Sequence, residues 1–111
     1  MTGIVEEQVM TDRVDAMENS ERAFVRALAA DARGDWPGAH ALVQDDPSPD
    51  AAWVHAYLHR KEGDAGNARY WYGRAGKPVF EGDLDEEWRL IADALTGSDD
   101  DAGEPEARAR D

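Results

Sequence analysis

Glycine and proline divide the middle of this chain into segments of helical length. Gly34 and Gly63 are each followed by aspartate, a pairing that ends one helix in the left-handed conformation and caps the next. Ser48 followed by proline gives a third start signal. Between these positions, apolar residues recur three and four places apart, as they do along one face of a helix. The pattern therefore predicts an all-α chain.

Five helices are expected from residue 20 onward, each bounded by such signals. Three of them cover residues 20–33, 49–62 and 65–75. The second helix of the five begins after its cap, Asp35, and ends at Asp45. The last begins after Asp83, and Glu86 three places on completes its capping signal. Residues 78–81 are the one place where a short strand is considered.

A repeat runs through the first four of these helices. A shift of 29 positions superimposes five identical residues: Ala23 on Ala52, Ala27 on Ala56, Gly34 on Gly63, Asp35 on Asp64 and Ala39 on Ala68. The alanines allow close helix approach, and the Gly-Asp pair makes the turn and the cap together. We therefore predict two stacked helical hairpins related by this repeat, with the last helix closing the C-terminal end.

The second copy resembles the tetratricopeptide repeat, a helix–turn–helix unit of 34 residues. The matching residues are Trp53, Ala56, Gly63, Ala68, Tyr72 and Ala75. The first copy matches only at Ala27, Gly34 and Ala39, and the period is 29 rather than 34. The resemblance implies stacked hairpins that bind protein segments. Residues 53–78 also resemble a stretch found in small uncharacterised bacterial proteins, which implies no activity.

The length of 111 residues allows one small domain. Residues 16–97 are expected to form it as a single helical-repeat domain. Residues 1–15 are open between a short helix with an apolar stripe and a disordered segment. Residues 98–111 are acidic, and they lack bulky apolar side chains, so an acidic disordered tail is expected there.

Composition narrows the function classes. The chain has no cysteine, which excludes disulfides, thiolate catalysis and cysteine-ligated metals. A formal net charge of −13 argues against nucleic acid as a partner, because that binding depends on basic residues. No apolar run approaches the roughly 18 residues of a membrane span, and the N-terminus carries acids where a secretory signal carries bases. We expect a cytoplasmic protein without a membrane partner.

One stretch reverses the sign of the charge. Residues 53–78 hold five bases and two acids, and Tyr70 is the aromatic residue that the core spacing of this stretch leaves on a second face. The favoured function is a small interaction module that binds a protein or peptide through this basic-aromatic hairpin, without a cofactor. The candidate surface consists of Arg60, Asn67, Arg69, Tyr70 and Arg74. Two explanations of the bases themselves compete: internal pairing with the acids that follow at residues 81–87, which is the favoured one because those acids are close in sequence, and an anion-binding patch edged by Tyr70.

The histidines lead to a second hypothesis about function, a metal site. His55 and His59 are four residues apart and Glu62 follows three later, so the three side chains share one helical face. His40, on the preceding helix, is a candidate fourth ligand of a divalent transition metal. A metal-dependent or small-molecule-binding protein, and possibly an enzyme, is the corresponding alternative function. The competing interpretation is that one histidine forms a hydrogen bond inside the hairpin and another faces solvent.

Overall fold

The structure is a computed structural model that describes residues 2–97, with side chains from Val9 onward. Within that range the fold is all-α, as predicted, and no strand is present. The six helices are α1 (Thr2–Glu18), α2 (Ala23–Ala32), α3 (Trp36–Val43), α4 (Pro49–Lys61), α5 (Ala65–Ala75) and α6 (Leu84–Thr96). The expected acidic tail at 98–111 lies outside the described residues.

The predicted start and stop signals set the helix bounds. Asp35 accepts a hydrogen bond from the backbone N–H of Gly38 at 2.9 Å, and Ser48 accepts one from Ala51 at 3.1 Å. These caps satisfy amide groups that the first turn of a helix leaves unpaired. Gly76 ends α5 with a φ of 72°, the left-handed conformation that glycine adopts without strain. The bounds predicted for α5 agree with the structure because its cap and its stop are both local.

The structure differs from the expected elements in three places. The N-terminal segment, left open between helix and disorder, is helical from Thr2, which makes six helices rather than five among the described residues. Residues 77–83 form a loop between α5 and α6, so the short strand considered at 78–81 is absent. The first repeated helix begins at Ala23 rather than at residue 20.

The helices pack as two adjacent pairs with two further helices against them. α2 packs on α3 and α4 packs on α5, while α6 contacts α4 and α2, and α1 contacts α2. Ala27 and Ala56 are fully buried at the centre, and Gly34 and Gly63 both have positive φ. The two pairs are the expected hairpins, whereas the 29-residue repeat that relates them stays a prediction. No helix among the described residues has both the length and the apolar character needed to cross a membrane.

Candidate metal centre

The three histidines of the chain meet where α3 contacts α4. His40 comes from α3, and His55 and His59 lie one turn apart on α4. One ring nitrogen from each residue lies within 4.8 Å of the others. The Nε2 atoms of His40 and His55 are 3.1 Å apart. We call His40, His55 and His59 the histidine cluster.

Two tryptophans hold the rings of the histidine cluster. Trp36 stacks on His40 with the ring centroids 4.9 Å apart and the planes 9° from parallel. Its indole Nε1–H donates to the carbonyl oxygen of Leu58 at 2.8 Å, which ties α3 to α4 beside the cluster. Trp71 of α5 stacks on His55 with the centroids 4.0 Å apart. Two aromatic walls therefore restrict the orientation of the imidazoles.

Glu62 lies on the outer side of His59 rather than among the three imidazoles. Its Oε2 is 2.7 Å from Nδ1 of His59. A carboxylate on one ring nitrogen fixes the tautomer and leaves the other nitrogen as a metal donor. Glu62 also forms a second group with His59 and Asp64, whose donor atoms lie within 4.8 Å of one another. Asp64 is already engaged, since it accepts the backbone N–H of Asn67 at 3.2 Å as the cap of α5.

Burial favours the neutral forms of His55 and His40. His55 is 3% exposed, and burial, followed by the neighbouring charges of His59 and His40, lowers its pKa to about 4. Burial also lowers the pKa of His40, with His59 acting in the same direction. Nδ1 of His55 is buried and has no hydrogen-bond partner among the described residues. Neutral imidazole is the form that binds a metal, so the lowered pKa values of His55 and His40 favour the metal-binding form.

The spacing of the nitrogens is close to that of a coordination site. Zinc–imidazole bonds of about 2.0–2.1 Å in a tetrahedron place two nitrogens roughly 3.3–3.4 Å apart. The observed 3.1 Å between His40 and His55 differs from this by a small side-chain movement. A set of imidazoles without thiolates suits zinc, copper, nickel and iron. The donor atoms of the three histidines all lie within 4.8 Å of one another, but the rings of His55 and His59 are stacked with their planes 26° apart, so they would have to turn for both to face one ion.

Arg60, one residue of the predicted binding surface, makes its polar contacts within the fold. Its guanidinium pairs with Glu87 of α6 at 2.9 Å, and the Glu87 side chain is fully buried. Arg60 also donates to the carbonyl oxygen of Gly82, and the hydroxyl of Tyr72 donates to the second oxygen of Glu87. Arg60 therefore follows the alternative of internal pairing with the acids at 81–87. Lys61 instead pairs with Asp31 of α2 at 2.8 Å.

The remaining residues of that surface lie on α5. Asn67, Arg69, Tyr70 and Arg74 are exposed, and Tyr70 is the most accessible aromatic side chain among the described residues at 55%. Arg74 donates to the hydroxyl of Tyr70 at 2.9 Å, and its guanidinium lies over the rings of Tyr70 and Trp71. An exposed basic and aromatic patch is therefore present without Arg60.

Two residues of the centre were missed from sequence. Trp36 lies four residues before His40, a spacing that places the two rings on one helical face and that was available as a signal. The spacing of Trp71 predicts a core position, but Trp71 is half-buried and its ring covers His55. Nothing in the local sequence of α5 points to this contact.

Comparison with protein-family models, with curated proteins and with solved structures finds no match for this chain. The resemblance to the tetratricopeptide repeat and to small bacterial proteins therefore stays a prediction, and any function rests on the site itself.

Proposed function

We propose that this protein binds one transition-metal ion through His40, His55 and His59. The observation that carries the proposal is the convergence of the chain's only three histidines, from two helices, to within 4.8 Å. Histidine is the commonest metal ligand in proteins, and three imidazoles match the donor set of many zinc centres. The bond from Glu62 to His59 is the kind of outer contact that orients such ligands.

Three protein ligands leave a coordination position for water or a small molecule. Catalytic zinc sites have this composition, whereas structural zinc sites use four protein ligands. His40 is the least buried of the three histidines, so the open position is expected on its side of the cluster. Metal-dependent binding or catalysis at that position is the function that the donor set supports.

The competing explanation is that the cluster is a structural hydrogen-bond network. His40 and His55 are within hydrogen-bond distance, so one ring can donate to the other without any metal. The two explanations differ in one measurable respect: a metal site makes the stability of the protein depend on the ion. A ligand at 100 times its dissociation constant adds about 2.7 kcal/mol to the free energy of unfolding.

Metal content and thermal unfolding test the proposal. The protein is purified without a histidine tag, treated with a chelator, and titrated with zinc, nickel or copper. We expect one ion per chain and a raised melting temperature. His40→Ala should abolish the bound ion and the rise in melting temperature. Gln44→Ala, one turn later on the same side of the hairpin, should leave the metal content and the melting temperature unchanged. Because a charge of −13 attracts cations non-specifically, equal metal content in wild type and His40→Ala would contradict the proposal.

A second candidate function is the binding of an acidic peptide on α5. It is supported by Arg74, whose guanidinium lies over two aromatic rings beside the exposed Arg69 and Tyr70. Arginine and tyrosine are enriched where proteins bind peptides. A pull-down compares wild type with an Arg69→Glu, Arg74→Glu double variant. A partner lost by the double variant supports this surface, and equal recovery by both proteins contradicts it.

A further inference from the structure

A second surface lies on the loop between α5 and α6, away from the histidine cluster. Lys77, Val79 and Glu81 are exposed, whereas Phe80 is half-buried against the core. Pro78 is exposed as well, so within residues 77–81 Phe80 alone turns towards the core and the other side chains lie on the outer side of the loop. Val79 is 44% exposed.

The loop borders a groove with mainly apolar walls and a volume of about 520 Å³. Trp53 of α4 forms its floor, and Leu90 of α6, 47% exposed, forms the opposite wall. Nζ of Lys77 lies 4.3 Å from the centroid of the Trp53 ring, which holds the ammonium group at the edge of the groove. Together Val79 and Leu90 present apolar area that no described residue covers.

The charges of the loop are arranged symmetrically about Val79. Lys77 lies two residues before it and Glu81 two residues after it. If two copies of the loop pair about a two-fold axis through Val79, Lys77 of each copy lies opposite Glu81 of the other, which makes two ion pairs. Val79 of one copy then packs on Val79 of the other. A wholly acidic or wholly basic partner would instead place like charges together at one end.

We propose that this groove is the interface of a symmetric homodimer, formed by residues 77–81 and Leu90. In such an isologous interface the same patch serves both copies, and each interaction occurs twice. The patch presents two exposed large apolar side chains, Val79 and Leu90, and each chain carries a net charge of −13 that opposes association. We therefore expect a weak dimer that forms at protein concentrations of about 100 μM.

Sedimentation equilibrium with charge-reversal variants tests the interface. Lys77→Glu and Glu81→Lys each place like charges opposite one another, and each should raise the dimer dissociation constant at least about tenfold. Mixing the two variants in equal amounts should restore dimerisation, because the two loop carboxylates of the Lys77→Glu chain then face the two loop ammonium groups of the Glu81→Lys chain. Only pairing of the loop with its own copy in this antiparallel register predicts that rescue.

Two further variants distinguish loss of the interface from loss of folding and from a general effect of added charge. Leu90→Asp should abolish the dimer, while Val9→Asp, at an exposed apolar position on α1, should not. Circular dichroism and urea unfolding confirm that each variant is folded. A wild-type protein that stays monomeric to about 1 mM would overturn the proposal. So would a mixture of the two charge variants that remains as monomeric as each alone.

Discussion

The Nε2 atoms of His40 and His55 lie 3.1 Å apart across the contact between α3 and α4. Two lone pairs at this distance would repel, so without an ion one ring must donate a proton to the other. In the proposed metal centre, a cation would take the place of that shared proton and accept both lone pairs. The observed geometry is therefore compatible with a hydrogen bond in the metal-free protein and with a pair of ligands in the proposed centre.

The carboxylate of Glu62 should strengthen metal binding without holding the ion. Glu62→Gln keeps the size of the side chain but weakens its bond to Nδ1 of His59. Loss of such an outer partner typically lowers metal affinity about 10- to 100-fold. Calorimetric titration with zinc measures the change. Glu21→Gln, which removes an exposed charge elsewhere, is the control and should leave the affinity within about twofold; equal affinities for the two variants would argue against the role of Glu62.

Acid should destabilise the metal-free protein through His55. Its pKa is about 4 in the folded protein and about 6.5 when unfolded, so the unfolded state binds more protons between these values. Stability therefore falls as the pH drops from 6.5 towards 4, by up to about 3 kcal/mol for the full shift. Urea unfolding at pH 7 and pH 5 should show a smaller loss in His55→Phe than in wild type. Parallel losses would contradict this explanation.

The buried pair of Arg60 and Glu87 should be the most sensitive charged contact among the described residues. Arg60→Ala leaves the fully buried Glu87 carboxylate without its cation, which typically costs about 3–5 kcal/mol. Arg69→Ala, an exposed arginine nine residues later, should change the free energy of unfolding by less than about 0.5 kcal/mol. Urea denaturation compares the two. Similar small losses for both would show that Glu87 does not depend on Arg60.

Alanine substitution at two glycines, one inside α5 and one at its C-terminal end, should change the free energy of unfolding in opposite directions. Gly73 lies inside the helix with no neighbouring atom within 4 Å of an added Cβ, so Gly73→Ala should stabilise by about 0.5–1 kcal/mol. Gly76 has a φ of 72°, so Gly76→Ala should destabilise by about 1–2 kcal/mol. Thermal unfolding of the two variants gives the signs. A stabilising Gly76→Ala would contradict the left-handed end of α5.

The helices could be predicted well because their signals are local. The cap and stop of α5 lie within its own sequence, and the agreement at Ala65–Ala75 follows from that. The meeting of His55 and His59 also follows from local spacing. The position of His40 depends on how α3 packs on α4, so the sequence could offer it only as a candidate.

Arg60 shows how far sequence reasoning reaches. The sequence offers Arg60 both as part of a binding surface and as a partner of the acids at residues 81–87. Its partner Glu87 is 27 residues further along the chain, and the contact exists only because α6 packs on α4. The role of Trp71 was missed for a similar reason, since its contact with His55 is made between helices. Long-range packing, rather than pattern, decided both positions.

The side-chain nitrogens of the three histidines give the most direct test of the metal centre. Nitrogen-15 correlation spectra of the imidazoles are recorded on chelator-treated protein before and after one equivalent of zinc. We expect one set of metal-bound signals in which one nitrogen of each of His40, His55 and His59 shifts together, saturating at one ion per chain. Spectra in which the three imidazoles are unchanged at excess zinc would contradict the proposed centre.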